Sequence, residues 1–446
     1  MYPAIPDYVK KILTILNQAG HEAFCVGGCV RDLLLGRTPQ DWDVTTSALP
    51  EEVQTLFVPH SVPTGLRHGT ITVVTGQGSV EVTTYRRDGS YHDCRHPDKV
   101  TFTASLTEDL ARRDFTVNAM ALDEAGEIVD PFGGREDLRY EILRCVGDPD
   151  RRLTEDALRI LRCLRFAATL SFAIDTETEK ALRRHKDLLR KIAMERVREE
   201  LAKLILGPAA DQILLEYADV VGVVLPEILP AVGFDQHNRH HCFDVWEHSV
   251  RAMAAAPRDP VIRWALLLHD LGKPDAFTVD EAGVGHFYDH GRRSEEMARE
   301  ICSRLRMDRE SRDTICRLVR LHDVPITMTE KGIRRLLRKL GEEDFRRLLQ
   351  IKRGDNLAQH PAYLGRQEWL NQVEEMLNVV LREDQCFSLR QLAVKGNDLL
   401  DLGFQGKAVG DMLNWLLDQV VEGKIPNQRE LLLELAAAEI QKEETR

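Results

Sequence analysis

The chain lacks an excess of basic charge, a membrane-length apolar run and a paired-cysteine framework, and each absence narrows what it can be. Its 60 Lys and Arg are outnumbered by 72 Asp and Glu, giving a formal net charge of −12. Nucleic-acid binders are often basic overall, so this balance counts against such a partner without excluding one, because a local basic stripe is sufficient. No apolar run approaches the roughly 20 residues that cross a bilayer. The opening residues MYPAIPDYVKKIL have no signal-peptide pattern. The nine cysteines are an odd number with no Cys-x-x-Cys, and Cys25 and Cys29 have the wrong spacing for the usual zinc pairs. Unpaired thiols imply a reducing compartment, so the expectation is a cytoplasmic protein with no membrane contact. The 446 residues are enough for several domains and a sizeable core.

What is present centres on the stretch from Gly27-Gly28-Cys29-Val30-Arg31-Asp32 to Asp41-Trp42-Asp43. The apolar run Ala23-Phe24-Cys25-Val26 reads as a strand that stops at two glycines, where a backbone can turn sharply and approach a ligand closely. Arg31 follows in the first turn of a short helix, where backbone N–H groups and a cation can face a phosphate. Asp41 and Asp43, two apart on a predicted strand, share a face, with Trp42 turned to the core. Paired carboxylates repel unless a cation lies between them, and Mg²⁺ takes one or two carboxylates plus substrate phosphates. Each motif alone has an ordinary alternative, a plain turn or a solvated strand edge. Together, at this spacing, they are far more specific.

The segment GGCVRDLLLGRTPQDWDVTTSA resembles the first motif of the class II tRNA nucleotidyltransferases (the CCA-adding enzymes) and of the related bacterial poly(A) polymerases. The resemblance implies metal ligands at Asp41 and Asp43 and a triphosphate cradle at Gly27, Gly28 and Arg31. Gly69–Val74 and Ser79–Arg86 alternate as two antiparallel strands, and Glu81 on the second is a candidate third carboxylate. Residues 87–99 are polar and aperiodic, the pattern of a mobile loop. RRDFTVNAMA resembles the second family motif, in which Arg113 and Asp114 would hold triphosphate and ribose, with Arg112 and Asn118 as neighbours.

Beyond residue 140 the strand signal vanishes and helical patterns take over. Leu153–Phe166 (LTEDALRILRCLRF) reads as one helix capped by Thr154, with Leu158, Leu161, Leu164 and Ala167 buried and Asp156 and Arg159 side by side. An i,i+3 ion pair is usually a surface feature contributing a few tenths of a kcal/mol. Yet a carboxylate acceptor beside a guanidinium donor matches the amino donor and ring-nitrogen acceptor of cytosine or adenine, and mismatches uracil and guanine. The segment resembles the family's Glu-Asp-x-x-Arg motif, matched by Glu155, Asp156 and Arg159, which implies an amino-acid template for the base. Arg162 and Arg165 continue the basic run toward triphosphate or RNA end. ERVREELAKLIL, residues 195–206, resembles a later family motif and reads as scaffold.

A second candidate site follows. His248, His269-Asp270 and Asp323 come from separate predicted helices, and LLHDLGKP with an upstream EHS resembles the HD metal-dependent phosphohydrolase motif. The resemblance implies a divalent cation (Mn, Ni or Fe) on His248, His269, Asp270 and Asp323, with His290 as a further candidate. In some nucleotidyltransferases that carry such a domain it hydrolyses phosphate esters at RNA or nucleotide ends; in others it is structural. Residues 331–353 interleave Arg and Lys with Leu at helical spacing, the best candidate for RNA-backbone contacts in an acidic chain.

The expectation is therefore an α+β protein: a nucleotidyltransferase head with a small mixed sheet (1–140), a helical neck (141–206), a helical body with the HD-type motif (207–330) and a helical, RNA-binding tail (331–446). The implied activity is Mg²⁺-dependent, template-independent addition of C, C and A to a tRNA 3′ end from CTP and ATP. A homodimer is compatible with the sequence. Rival readings are a poly(A) polymerase, a CC-only or A-only enzyme and, from another class, an HD phosphohydrolase.

Overall fold

The structure, a computed structural model, describes residues 5–89, 100–237, 242–382 and 386–444. It forms two compact units, Met1–Leu229 and Pro230–Arg446. The first is α+β, with a small mixed sheet followed by helices, and the second is almost wholly helical.

The first unit opens with α1 (Asp7–Gln18), which buries Val9, Ile12, Leu13 and Leu16, an apolar stripe at helical period. β1 (Ala23–Val26) passes through Gly27 into α2 (Gly28–Leu34) and returns as β2 (Asp43–Thr46), antiparallel to β1 with Val26 opposite Asp43. α3 (Pro50–Leu56) starts on proline, whose fixed φ suits a first helical turn. β3 (Ser61–Gly65), β4 (Thr70–Thr75) and β5 (Gly78–Thr84) follow, β4 and β5 forming an antiparallel hairpin. The sheet order is β3-β4-β5-β2-β1, then the short strands Ala121–Leu122 and Ile128–Val129. One pairing in it is parallel, β2 with β5, and it sets Asp43 opposite Glu81. β3 was not legible beforehand: its sequence SVPTG carries a proline, which a sheet tolerates at an edge strand.

α4 (Leu106–Ala111) and α5 (Gly134–Arg139) flank the sheet segment. The predicted helix over 153–166 is in fact two. α6 (Pro149–Glu155) is capped by Asp148, whose carboxylate accepts from Asp150 N, and it ends at Asp156 in extended backbone (φ −133, ψ 103). α7 (Leu158–Leu170) then begins afresh, with Leu158, Leu161, Leu164 and Ala167 buried as the spacing requires. Thr154 is no cap: its hydroxyl donates to Asp150 O within α6. A short parallel strand pair, Ile142–Leu143 with Ala173–Ile174, also survives past residue 140. α8 (Thr176–His185), α9 (Met194–Leu204), α10 (Ala210–Glu216) and α11 (Ala218–Val221) complete the unit.

The second unit contains α12 (Val245–Ala255), α13 (Pro260–Leu268), α14 (Lys273–Ala276), a two-stranded ribbon (Phe277–Val279 with Gly285–Phe287), α15 (His290–Arg304) and α16 (Arg309–Leu321). α17 (Glu330–Leu357) is interrupted at Gly341, whose φ of +73° a side chain would resist. α18 (Arg366–Arg382), α19 (Gly396–Asp401), α20 (Lys407–Val421) and α21 (Arg429–Glu444) follow. Among the described residues no helix is long and apolar enough to cross a membrane.

Candidate active site

The carboxylates of the head converge through strand register. Asp43 begins β2 and Glu81 lies opposite it on β5. Side chains opposite one another on neighbouring strands share a face. Asp41 sits in the bend just before β2, exposed, while Trp42 between them is buried. Burial pushes the Asp43 carboxyl above its ordinary range, and the charges of Glu81 and Asp41 add to this against the pull of Arg113. Oxygen ligands whose charges repel one another are of the kind a hard divalent cation takes, so the residue types suit the metal, although among the described residues the groups of three ligands at metal-holding distance are those of the histidine cluster in the second unit.

The turn between β1 and α2 brings backbone to this edge. Gly27 has φ +78°, and a Cβ there would lie 3.2 Å from Arg113 Nη1 and 3.8 Å from Asp43 Oδ2. The guanidinium of Arg113 is thus held beside the metal carboxylates, anchored on Asp109, to which Arg112 also binds at 2.9 Å. Asp109 is fully buried, and its carboxyl stays below the usual range because those two arginines overcome the cost of burial. Cys29 is pushed up to about 11 mainly by burial, so no thiolate competes for this chemistry.

A hydrogen-bonded relay continues from the turn. Arg31 donates to Asn118 Oδ1 at 2.8 Å, Asn118 donates to Asp114 Oδ1 at 3.2 Å, and Arg162 grips Asp114 Oδ2 through Nε and Nη2 at 2.9 and 2.6 Å. Asp114 is held well below the ordinary carboxylate range: burial opposes ionisation, but Arg162 outweighs it. Arg165 and Arg162 both lean on buried Glu200, at 2.6 and 3.9 Å. The guanidiniums of Arg31, Arg162 and Arg165 lie 5.2, 5.4 and 3.7 Å from the Phe166 ring centroid. Three cations thus gather round one aromatic ring, each already paired with an acid: Arg31 with Asp32, Arg162 with Asp114 and Arg165 with Glu200.

Asp156 and Arg159 are not the side-by-side pair the spacing predicted, because the helix breaks between them. Asp156 caps Leu158 N through Oδ1 and binds Arg196 through Oδ2 at 3.1 Å. Arg159 is nearly buried, bonded to Glu155 and to the carbonyls of Arg152 and Arg112. Asp109, Glu200, Arg196 and Phe166 were missed by sequence reasoning. The segment holding Arg196 and Glu200 carried a signal only as scaffold.

In the second unit His248, His269 and Asp270 come together, fully or nearly fully buried, and so do Asp270, His290 and His322. Asp323 is not in either group, though it lines the pocket at their mouth. It is exposed, because α16 ends at Leu321 and directs the ring of the next residue, His322, inward instead. The further carboxylate is Asp355, from α17, 3.0 Å from His248 Nε2. In the tail, Lys331 and Arg335 pair with Glu422, Arg353 pairs with Glu374, and Lys352 is buried against the carbonyls of His322 and Val324. The run 331–353 is therefore substantially neutralised by its own acids. Of the loop expected over 87–99, Arg87 and Asp88 instead belong to a strand, Arg86–Asp88, paired antiparallel with Val100–Phe102, and residues 90–99 lie outside the described residues.

The sheet, its carboxylate edge and the adjoining arginines define a metal-using nucleotidyltransferase head, and the comparisons agree. Residues 23–144 match the model of the poly A polymerase head domain. Residues 171–231 match a probable RNA- and SrmB-binding site of polymerase A, and 281–436 a putative tRNA nucleotidyltransferase domain 2. The CCA-adding enzyme of Lactobacillus helveticus (strain DPC 4571) is 50% identical over 218 residues, 48% of this chain, and the chain spans about half (54%) of that relative's length. The CCA-adding enzyme of Geobacillus stearothermophilus is 45% identical over 290 residues, 61% of this chain and 68% of the relative. The crystal structure of the Bacillus stearothermophilus CCA-adding enzyme in complex with CTP matches with a TM-score of 0.74 at 32% identity, covering 98% of each chain. The chain belongs to the CCA-adding tRNA nucleotidyltransferase family, whose members use a divalent metal.

Proposed function

We propose that the first unit adds C, C and A to the 3′ end of tRNA from CTP and ATP, releasing pyrophosphate. The observation that carries this reading is the pairing of Asp43 with Glu81 across parallel strands, beside Arg113 and the Gly27 turn. The RNA 3′-oxygen attacks the α-phosphorus, the bond to the bridging oxygen of the β-phosphate breaks, and the hydroxyl proton passes to solvent. Mg²⁺ on Asp41 and Asp43, with Glu81 alongside, neutralises the triphosphate and lowers the pKa of that hydroxyl when bound. Gly27 and Gly28 let the backbone approach the phosphates, Arg31 and Arg113 pair with them, Arg112 supports through Asp109, and Asp114 with Asn118 holds the ribose.

Asp156 and Arg159 choose the base, once the nucleotide draws the Arg159 guanidinium from the carbonyls of Arg152 and Arg112 that hold it here. The carboxylate accepts the N4 or N6 amino hydrogen of C or A, and the guanidinium donates to N3 or N1. With uracil or guanine both partners would face like groups, each left unpaired at a cost of about 1–3 kcal/mol. Arg196 and Glu155 are positioned to brace these two side chains. Arg162 and Arg165 receive phosphate or the RNA end.

The division into head, neck, body and RNA-binding tail, a cytoplasmic location and a possible homodimer belong to the same proposal. So does a second divalent cation, of the Mn, Ni or Fe kind, in the histidine cluster of the second unit. Incubation with tRNA lacking its end, plus labelled CTP and ATP, tests the reading. Addition of CC followed by a single A is the expected product. An A-tail that continues to grow would make the chain a poly(A) polymerase, a reading that the head-domain match favours as runner-up. Arrest after CC, or addition of A alone, would make it a split enzyme.

A further inference from the structure

Arg159, the arginine assigned to the base, is stowed. Its Nη1 donates to Arg152 O and to Glu155 Oε2, each at 2.9 Å, and its Nη2 donates to Arg112 O at 3.0 Å. Its side chain is only 10% exposed. To meet a nucleotide it must leave all three acceptors. A buried acceptor left empty is costly, and a buried carboxylate left without its cation is costlier still.

A second arginine already stands at the same acceptors. Arg152 lies on α6, one turn before Glu155, and is as buried as Arg159. Its Nη1 donates to the same Glu155 Oε2 at 2.7 Å and to the same Arg112 O at 3.2 Å. Its Nη2 donates to Ala111 O at 2.7 Å and its Nε to Val146 O at 3.2 Å. Two of the acceptors of Arg159 are therefore shared with Arg152, and the third is the carbonyl of Arg152 itself. Arg151 also touches Glu155, but at the other oxygen, Oε1, and its side chain is 74% exposed, so water and salt screen it.

Arg152 is held in place independently of Arg159. Ala111 and Arg112 end α4, where the last carbonyls of a helix lack partners of their own. A rigid guanidinium fork spans both. The next residue, Arg113, is the one assigned to the phosphates. One side chain thus ties the segment that holds phosphate to the segment that reads the base.

Resting on the reading that Arg159 selects the base, we propose that Arg152 is a positioning residue for that step. It keeps Glu155 and the Arg112 carbonyl occupied while Arg159 swings to the nucleotide. Without it, Glu155 would retain Arg159 as its buried cation, and the base-reading arginine would stay down. Nucleotide would then bind only the fraction of molecules in which Arg159 is free, and apparent affinity falls by that fraction.

Steady-state incorporation by the full chain, on tRNA lacking its end, tests this. Arg152→Met is expected to raise KM for CTP and for ATP about tenfold while kcat stays within about twofold. Neutralising the carboxylate as well, in Arg152→Met with Glu155→Gln, is expected to bring KM back to within about threefold of the parent, because nothing then locks Arg159. A mere loss of packing at residue 152 would leave the double variant as poor as the single one or worse, and that result overturns the proposal. Arg152→Lys is the gentler variant should Arg152→Met not fold. Its single ammonium cannot span Glu155 and the α4 carbonyls, so KM is expected to rise about threefold and to be rescued by the same Glu155→Gln. No rise, or a rise without rescue, overturns the proposal. Arg159→Ala separates this from the reading beneath it. Unchanged discrimination of C and A against U and G in Arg159→Ala would sink the base reading. Lost discrimination there, with KM unmoved in Arg152→Met, overturns the role of Arg152 alone.

Discussion

The carboxylates of the first unit and those of the second keep different company. Asp41 and Glu81 are exposed and Asp43 half-buried, with oxygen ligands alone and guanidiniums close by. Asp270 is buried among imidazoles whose other nitrogens are already committed. The first arrangement suits a cation that arrives with a triphosphate and leaves with pyrophosphate. The second suits a resident one. Hard, exposed oxygen ligands favour Mg²⁺ shared with substrate, whereas mixed nitrogen and oxygen sets favour transition metals.

The largest effect that would break this contrast is at Asp43. Asp43→Ala is expected to lower nucleotide incorporation by about 10³-fold or more, since transition-state charge stabilisation by the metal is worth several kcal/mol. Metal retention in the second unit should be unchanged. Substantial residual incorporation would remove the metal assignment. Asp156→Ala is expected to cut discrimination of C and A against U and G by about 10–100-fold, equivalent to 1–3 kcal/mol per buried unpaired group. Competition assays with mixed triphosphates read this directly, and unchanged selectivity would refute the template.

The second unit has its own sensitive point. A Cβ on Gly272 would lie 2.7 Å from Ser294 N and 2.9 Å from His290 O. Gly272→Ala should therefore force α15 away from Asp270, destabilising the chain by about 1–3 kcal/mol and lowering metal retention. Thermal unfolding followed with metal analysis checks both effects, with head activity as the internal control. The smallest effect concerns pH. Because burial and the charges of Glu81 and Asp41 raise the Asp43 value, its carboxylate is lost at a higher pH than an ordinary aspartate as the medium is acidified. In the metal-free chain the Asp43 carboxyl, followed by NMR titration, should accordingly ionise above the usual aspartate range and move to lower pH in Glu81→Gln, in which one repelling charge is gone.

Local signals reached the catalytic edge and failed where long-range packing decided. The strand, glycine turn, helix and second strand around Asp43 were legible because each rests on period and turn chemistry within a few residues. The place of Glu81 on a strand was legible for the same reason. Asp109, Glu200 and Arg196 were not, because a buried charge is recognised by its partner, and those partners lie elsewhere in the fold. Asp148-Pro149, an N-cap followed by proline, marks the start of α6, but the break at Asp156 has no such local signal. The motif points to Asp323 by residue type, whereas the helix end at Leu321 turns His322 inward.

The hairpin tip at Gly76-Gln77 joins Thr75 to Gly78, the last register pair between β4 and β5. Glu81 sits four residues along from that tip, and alternation along a strand is strictly two-fold. A slip of a single residue there would turn Glu81 to the opposite side, and with it the buried Val80 and Val82 out of the core. The chemistry of the head is thus indexed by a solvent-facing turn that touches none of it.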